Sequence, residues 1–200
     1  MEKKILEQFL YNHKLKFNEI EKQIKIRSNK LAYHIKKLVD QGIIEKINDY
    51  YRLSETSEKI IPYLTKKQAI LPVILVAIEK DKKVFLIKRQ KRPFKDKLSL
   101  PGGRMLVGEN SQIAAERILK EKFNILSKFK KINSISLEQV KRKGRLIHSF
   151  LLIFCTATTK KQIKYTNPKT NKSKIVSSDY KLLTQDLNKE IKITKIITKI

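Results

Sequence analysis

The 200-residue chain has no tryptophan, a single cysteine, two methionines, and only five glycines and five prolines. One cysteine excludes a disulfide within the chain, so packing and hydrogen bonding must hold it together. Cys155 sits inside the apolar run HSFLLIFCTAT, where a buried inert thiol is expected in place of a nucleophile. No apolar stretch reaches the ~18 residues of a membrane span. The start, MEKKILEQFLYNHK, is amphipathic and charged, unlike a leader, so a reduced cytoplasm and no membrane partner are expected. Acidic residues are scarce too: 19 Asp and Glu face 46 Lys and Arg, a net charge of +27. Such an excess attracts nucleic acid, nucleotides or anionic surfaces, and a generally lysine-rich composition is the plain alternative. Residues 1–70 hold 15 Lys and Arg against 9 Asp and Glu, leaving 31 against 10 for the rest. Charge alone therefore does not assign DNA binding to the N-terminal part.

What is present divides into two patterns, each long enough for a modest core. Ile5, Phe9 and Leu10 repeat at helical spacing, and after a break at Asn12 to Lys16 so do Phe17, Ile20 and Ile24. A third helix is predicted from Ser28 as N-cap, with Leu31, Ala32, Ile35, Leu38 and Val39 as its buried stripe and Gly42 as its stop. IIEKINDYYRL then alternates around Asn48-Asp49 as a two-strand hairpin. Thr56 or Ser57 is expected to cap a fourth helix through Ile60, Ile61 and Leu64, made irregular by Pro62. The linker LTKKQA separates domains at residues 1–66 and 69–200.

SNKLAYHIKKLVDQGIIEK followed by YYRLS resembles the winged helix-turn-helix domain. The resemblance implies an α+β domain whose third helix enters the major groove of double-stranded DNA, commonly as a homodimer. From Ser28, the outward positions are Asn29, Lys30, Tyr33 and Lys37, able to reach base edges or phosphates. His34 lies at the margin, packed before base-reading, and Lys46 and Arg52 on the hairpin reach the flanking backbone. A protein-interaction or dimerisation module is the other reading.

The second pattern opens on AILPVILVAIEK, an apolar strand buried on both faces, turns at Asp81 to Lys83 and returns as VFLIKRQ. LSLPGGRMLVGENSQIAAERILKEKFNI follows. It reads as a strand end, a double-glycine turn, a loop closing at Gly108, and a helix opening near Asn110 or Ser111 with Ile113, Ala114, Ile118 and Leu119 inward. This stretch resembles the Nudix box, G-x5-E-x7-R-E-U-x-E-E-x-G-U with U a bulky aliphatic. Gly103, Glu109, Arg117, Leu119, Glu121 and Ile125 are in register, while Ile118 and Lys122 replace glutamates and Asn124 replaces the last glycine.

The resemblance implies an α/β/α sandwich with a mixed sheet over residues 69–200, and a helix face that gathers Mg²⁺ around a pyrophosphate. Here that face keeps only Glu121, with Glu109 as a tentative second metal ligand; Glu121 is catalytic only if the domain is an enzyme. Gly102, Gly103, Glu109 and Arg117 are the structural frame, Arg117 tying Glu109 to the helix and pairing with Glu121 one turn on. Arg89 and Arg92 stand where relatives bind phosphate, a solvated charge run being the alternative. Lys122 is expected to fill the vacated cation position and meet a ligand phosphate. Further on, KKINSISLEQVK and GRLIHSFLLIFCTAT are strands joined at Arg142 to Gly144, with Glu138 expected toward solvent and His148 as a structural residue. KKQIKYTNPKTNKSK reads as a mobile basic loop, SSDYKLLTQDL as a closing strand and helix, and Ile191 to Ile200 as a last helix or an inter-subunit strand.

The expected function is a DNA-binding transcription regulator whose Nudix-like domain senses a nucleotide-type phosphorylated metabolite, with no certain cofactor. The alternative is a Mg²⁺-dependent hydrolase of a nucleoside diphosphate derivative; an RNA-associated protein is a third reading.

Overall fold

The chain divides into two compact units, residues 1–69 and 70–200. The structure is a computed structural model that describes residues 1–64, 69–194 and 196–198. The linker core at 65–68 and the chain end at 199–200 lie outside the described residues.

In the first unit, α1 (Glu2–Leu6) runs into a 3-10 turn at Glu7–Leu10, and α2 (Phe17–Ile24) and α3 (Ser28–Asp40) follow a short strand β1 (Leu15–Lys16). Strands β2 (Ile44–Ile47) and β3 (Tyr50–Leu53) form the hairpin, and β1 adds antiparallel to β3, giving the order β1-β3-β2. Asn48 turns the hairpin at φ 54°, a left-handed conformation that asparagine tolerates better than most residues. Leu31, Ile35 and Leu38 point from α3 onto Ile5, Phe9, Ile20, Ile44 and Leu53 in one core. Three expectations need correction. Ser28 is the first helical residue and Arg27 occupies the N-cap; the Ser28 hydroxyl donates to Glu21 and so ties α3 to α2. Ala32 is exposed and outside the buried stripe. Instead of a fourth α-helix there is a 3-10 stretch at Glu58–Tyr63, entered through Ser54, whose hydroxyl donates to Gly42 O at 2.7 Å and stands 2.9 Å from Ser57 Oγ.

The second unit is built on β4 (Leu71–Lys80). It runs parallel to β10 (Arg145–Thr158) and antiparallel to β5 (Lys83–Phe85) and β8 (Gly102–Arg104). The sheet order is β11-β5-β4-β10-β9, with β9 (Lys128–Arg142) and β11 (Tyr165–Thr166) at the edges. A hairpin of β6 (Ile87–Lys88) and β7 (Leu98–Ser99) stands beside it. Strand alternation divides the apolar run between two faces. Ile74, Val76, Ile78, Ile153, Cys155 and Ala157 meet α4 (Ser111–Phe123) on one face. Leu75, Ala77, Leu152 and Phe154 meet α5 (Ser177–Gln185) on the other. This is an α/β/α sandwich with a mixed sheet. Burial pushes the Cys155 thiol up to about 12, which makes it a poor nucleophile.

The basic segment expected to be a mobile loop instead contributes β11, which pairs with β5, and a 3-10 turn at Lys172–Lys174. SSDYKLLTQDL gives the helix α5 but no strand; the nearest pairing is a single parallel bridge between Leu98 and Ile175. Ile191 makes one antiparallel bridge to Ile132, and residues 192–194 and 196–198 carry no regular structure. No described helix is long and apolar enough to cross a membrane.

Phe154 is fully buried where the sheet meets α5. Phe154→Ala should lower stability by about 3–5 kcal/mol, read as a fall in the urea midpoint at unchanged m-value.

Candidate functional site

The site is organised around Ser99–Gly103, the segment that links β7 to β8. Pro101 O accepts from Val76 N–H at 2.9 Å, and β8 pairs Gly102 with Leu75 and Gly103 with Ile74. At Gly102 the approach is close enough to require glycine. A Cβ on Gly102 would lie 2.6 Å from Leu75 Cδ2 and 2.9 Å from Ile74 O. On Gly103 it would meet Lys122 Nζ at 2.8 Å and Ile118 Cγ1 at 3.0 Å.

Helix α4 covers this segment on one side. Asn110 caps it, accepting from Ile113 N–H at 2.8 Å, and Asn124 ends it at φ 51°, a left-handed C-cap in which asparagine replaces the usual glycine. Ala114, Ala115, Ile118 and Leu119 are its buried face, whereas Ile113, expected inward, is 51% exposed. Arg117 forks onto both oxygens of Glu109, through Nε on Oε1 and through Nη2 at 2.9 Å on Oε2. Its Nη2 also donates to Arg104 O at 3.0 Å, and Leu106 N–H donates to Glu109 Oε2 at 2.8 Å. The hydrogen bond from Arg117 holds the Glu109 carboxyl below the usual carboxylate range. Glu121 Oε2 stands 3.4 Å from Arg117 Nη1, with most of its side chain in solvent.

Lys122 Nζ donates to Gly102 O at 2.8 Å. Partial desolvation, then the nearby charges of Arg117, Lys91 and Arg89, hold its pKa below the usual lysine range, opposed by Glu121. The residues present do not fit a magnesium site. Both oxygens of Glu109 are committed to Arg117 and Leu106, Ile118 is fully buried in the core, and an ammonium occupies the remaining position. Magnesium needs a near-octahedral oxygen shell, and among the described residues no group of three His, Cys, Asp or Glu side chains could hold a metal ion. Glu109 and Glu121, the expected ligand pair, both meet Arg117.

On the opposite side the same segment is gripped by α5. Asp179 Oδ2 accepts from Ser99 Oγ and from Leu100 N–H, each at 2.7 Å. Asp179 lines a cavity of about 90 Å³ with Arg89, Glu138, Phe94, Phe150 and Ser178. The Ser178 hydroxyl is buried there without a partner among the described residues. Glu138 is half-buried and belongs to this cavity, contrary to the expectation that it faces solvent. An adjoining groove of about 530 Å³ shares Glu138, Leu152 and Ser178. Arg89 donates through Nε to Pro93 O at 3.0 Å, and its charge acts on both Lys122 and Asp179. Arg92 lies exposed and outside this lining, and His148 is exposed and stacked 5.8 Å from Phe150. Asp179 and Ser178 were not singled out from sequence. An aspartate in the first turn of a helix is ordinary, and its partner Ser99 lies 80 residues away. The cavity has apolar walls with donors and acceptors at its rim, an arrangement suited to orienting a small polar group.

In the first unit Asn29, Lys30 and Tyr33 are exposed on α3, as is Lys36, which the sequence reading passed over. Lys37 is not a free cation: its Nζ donates to Glu2 Oε1 at 2.8 Å, and the same oxygen stands 3.5 Å from His34 Nδ1. His34 is half-buried, its ring edge-on to Tyr33 at 5.2 Å. Lys46 lies 5.9 Å from the Tyr51 ring and Lys14 4.6 Å from that of Tyr50, while Arg52 pairs with Glu45 at 2.9 Å.

A model of the NUDIX domain matches residues 70–178. A Methanocaldococcus jannaschii protein named ADP-ribose pyrophosphatase is 44% identical over 55 residues, 28% of this chain and 32% of that protein. A NUDIX hydrolase structure from Nitrosomonas europaea matches at TM-score 0.40 and 22% identity, covering 50% of this chain and 52% of its own. The NUDIX domain of Shewanella oneidensis NrtR, solved with ADP ribose, matches at TM-score 0.48 and 16% identity, covering 66% of this chain and 96% of its own. The chain thus spans about a third of the curated relative and about half of the first of these structures.

Two measurements check the site. Glu109→Ala removes the forked partner of the partly buried Arg117 guanidinium, leaving it only the looser Glu121 contact and Arg104 O, and should lower stability by about 1–3 kcal/mol, read as a fall in Tm. Burial raises Asp179 from 3.8 to about 6, reinforced by Glu138 and opposed by Ser99, Leu100 and Arg89. The folded chain keeps this proton after the unfolded chain has lost it, so the group's stabilising contribution is complete below pH ~4 and disappears as pH rises through ~6. Wild type should lose about 3 kcal/mol more than Asp179→Asn between pH 4 and 7, measured by urea unfolding at each pH.

Proposed function

The chain belongs to the NUDIX domain family, and from that premise we propose that its C-terminal unit binds a nucleoside-diphosphate-type metabolite without cleaving it, while the N-terminal unit, read as a winged helix-turn-helix, binds double-stranded DNA. The observation that carries this reading is the Lys122 ammonium seated on Gly102 O, next to buried Ile118. In the Nudix pattern both positions are carboxylates. A fixed ammonium balances phosphate charge, but unlike a bound metal it does not lower the pKa of a water into the physiological range. With Arg89, Lys91 and Arg117 acting on it, Lys122 belongs to a cluster of cations suited to a diphosphate. The name of the Methanocaldococcus relative makes ADP-ribose the first probe. It also supports the second reading, a hydrolase of such a compound.

On the DNA side the reading rests on Asn29, Lys30, Tyr33 and Lys36 along one exposed face of α3, flanked by hairpin cations. A ligand that prefers one geometry of a dimer over another shifts half-site spacing and hence operator affinity. The coupling is reciprocal, so operator DNA changes ligand affinity by the same factor.

Calorimetric titration of ADP-ribose into the full chain should give the same affinity in Mg²⁺ and in EDTA, and no AMP should form. Lys122→Ala should weaken binding about tenfold, a loss of ~1.4 kcal/mol. Mg²⁺-dependent AMP release that disappears in Glu121→Gln would install the hydrolase reading instead. For the N-terminal unit, Lys30→Ala should weaken binding to a selected palindromic operator and reduce its salt slope by about 1; an unchanged slope removes α3 from the interface.

A further inference from the structure

Away from the NUDIX pocket, ten lysines of the second unit line grooves that share residues. A groove of about 970 Å³ lies between the β6–β7 hairpin, β11 and the turn at Lys172–Lys174. It shares Lys83 and Tyr165 with a second groove of about 560 Å³, which in turn shares Thr159, Lys160 and Lys161 with a third of about 790 Å³. The three join into one path. Ten lysines line it against two aspartates, Asp81 and Asp96. Asp96 is already paired with Lys88 at 3.3 Å. Residues 71–200 as a whole hold 31 Lys and Arg against 10 Asp and Glu, so the path is richer in cations than its unit. The acids of the unit are instead concentrated elsewhere: Glu109, Glu116 and Glu121 at the box, Glu138, Asp179 and Asp186 around α5.

We infer that this path is a binding track for the sugar-phosphate backbone of a nucleic-acid duplex. A run dominated by one sign of charge fits a linear polyanion. Two of its lysines already spend a proton on backbone oxygen, Lys97 on Ser173 O at 2.8 Å and Lys161 on Asn124 O at 2.7 Å. Their side chains are thereby fixed, which reduces the entropy lost on binding. The lining holds no arginine among the described residues, and lysine acts as a point charge lacking the bidentate fork that reads guanine. Its one aromatic ring, Tyr165, is half-buried against the core under α4. It therefore offers no stacking platform of the kind that captures single strands. What remains is contact with phosphates, independent of sequence and sensitive to salt. The track is separate from the α3 face and does not depend on whether the NUDIX pocket senses or hydrolyses a ligand.

The test is fluorescence anisotropy of the full chain with a random-sequence duplex across a salt series. The track quartet Lys83→Ala, Lys160→Ala, Lys164→Ala and Lys174→Ala removes four exposed lysines. A control quartet, Lys120→Ala, Lys141→Ala, Arg142→Ala and Lys181→Ala, removes the same charge from exposed positions off the track. Far-UV circular dichroism establishes that both remain folded. The track quartet should weaken duplex binding at least tenfold at ~0.1 M salt and shrink the log-log salt slope by about 2–4, since each phosphate contact contributes ~0.9. The control quartet should stay within about twofold of wild type. Equal weakening by both quartets, or by neither, overturns the track. So does tighter binding of a single-stranded oligonucleotide, or of polyglutamate, than of the duplex. Failure of the α3 reading appears differently, as a Lys30→Ala variant that keeps its operator preference while the track quartet still loses duplex affinity.

Discussion

The second unit depends on a clamp across five residues. Ser99–Gly103 passes between the two helical layers, and one polar side chain reaches it from each layer: Asp179 of α5 on Ser99 and Leu100, Lys122 of α4 on Gly102. Backbone groups on such a path must be satisfied if the segment is to be covered, and Val76 takes the remaining carbonyl between them. Gly102 follows from this closeness. A Cβ at Gly102 would meet the Ile74 backbone oxygen within 3 Å, so hydrogen is required there, whereas at Gly103 the nearest atom is the end of the flexible Lys122 side chain.

The clamp also explains why lost carboxylates need not cost the fold its integrity. In the Nudix pattern the α4 face above Gly102–Gly103 carries acids, whose mutual repulsion calls for a cation. Here Ile118 joins the core and Lys122 brings its own charge, so the helix and the loop are joined directly. Glu109 and Arg117 keep their work, which is structural. Their forked ion pair, with Arg104 O and Leu106 N–H, closes the loop between β8 and α4. The same exchange reverses the electrostatics of the site. Arg117, Lys91 and Arg89 act on Lys122, a repulsion that an anion relieves, whereas a helix face of glutamates is relieved by a cation.

Local sequence made much of this architecture legible. Strand β4 was visible as an apolar run, and the division of its even and odd residues between two helices follows from strand geometry alone. Leu31, Ile35 and Leu38 on α3 were likewise legible from helical spacing. Pairings across long separations were not. Asp179 meets Ser99, and Glu2 neutralises Lys37 from 35 residues upstream; no periodicity registers either contact. Edges misled in another way. Ala32 and Ile113 are apolar residues on helical spacing that lie past the margin of the buried stripe, because spacing sets a direction and the neighbouring layer sets how wide the covered arc is. The polar stretch before α5 looked unstructured since β11 pairs through its backbone, which needs no apolar signature.

The two units handle positive charge by different means, and the β6–β7 hairpin brings both uses of the second unit together. On α3 and its hairpin, Glu2 and Glu45 each take a cation, and tyrosine rings underlie others, so the exposed set is narrowed to a few side chains. In the second unit the narrowing is done by strand alternation. Arg89 is half-buried and lines the Asp179 cavity, while its neighbour Lys88 is exposed and lines the lysine path. Successive side chains on an extended strand point to opposite sides, so one short hairpin supplies a cation to the pocket and another to the outer groove. Lys97 fixes the return strand to Ser173 O, next to the segment that leads into α5 and Asp179. The cavity and the lysine path thus share the β6–β7 hairpin, although among the described residues no side chain lines both.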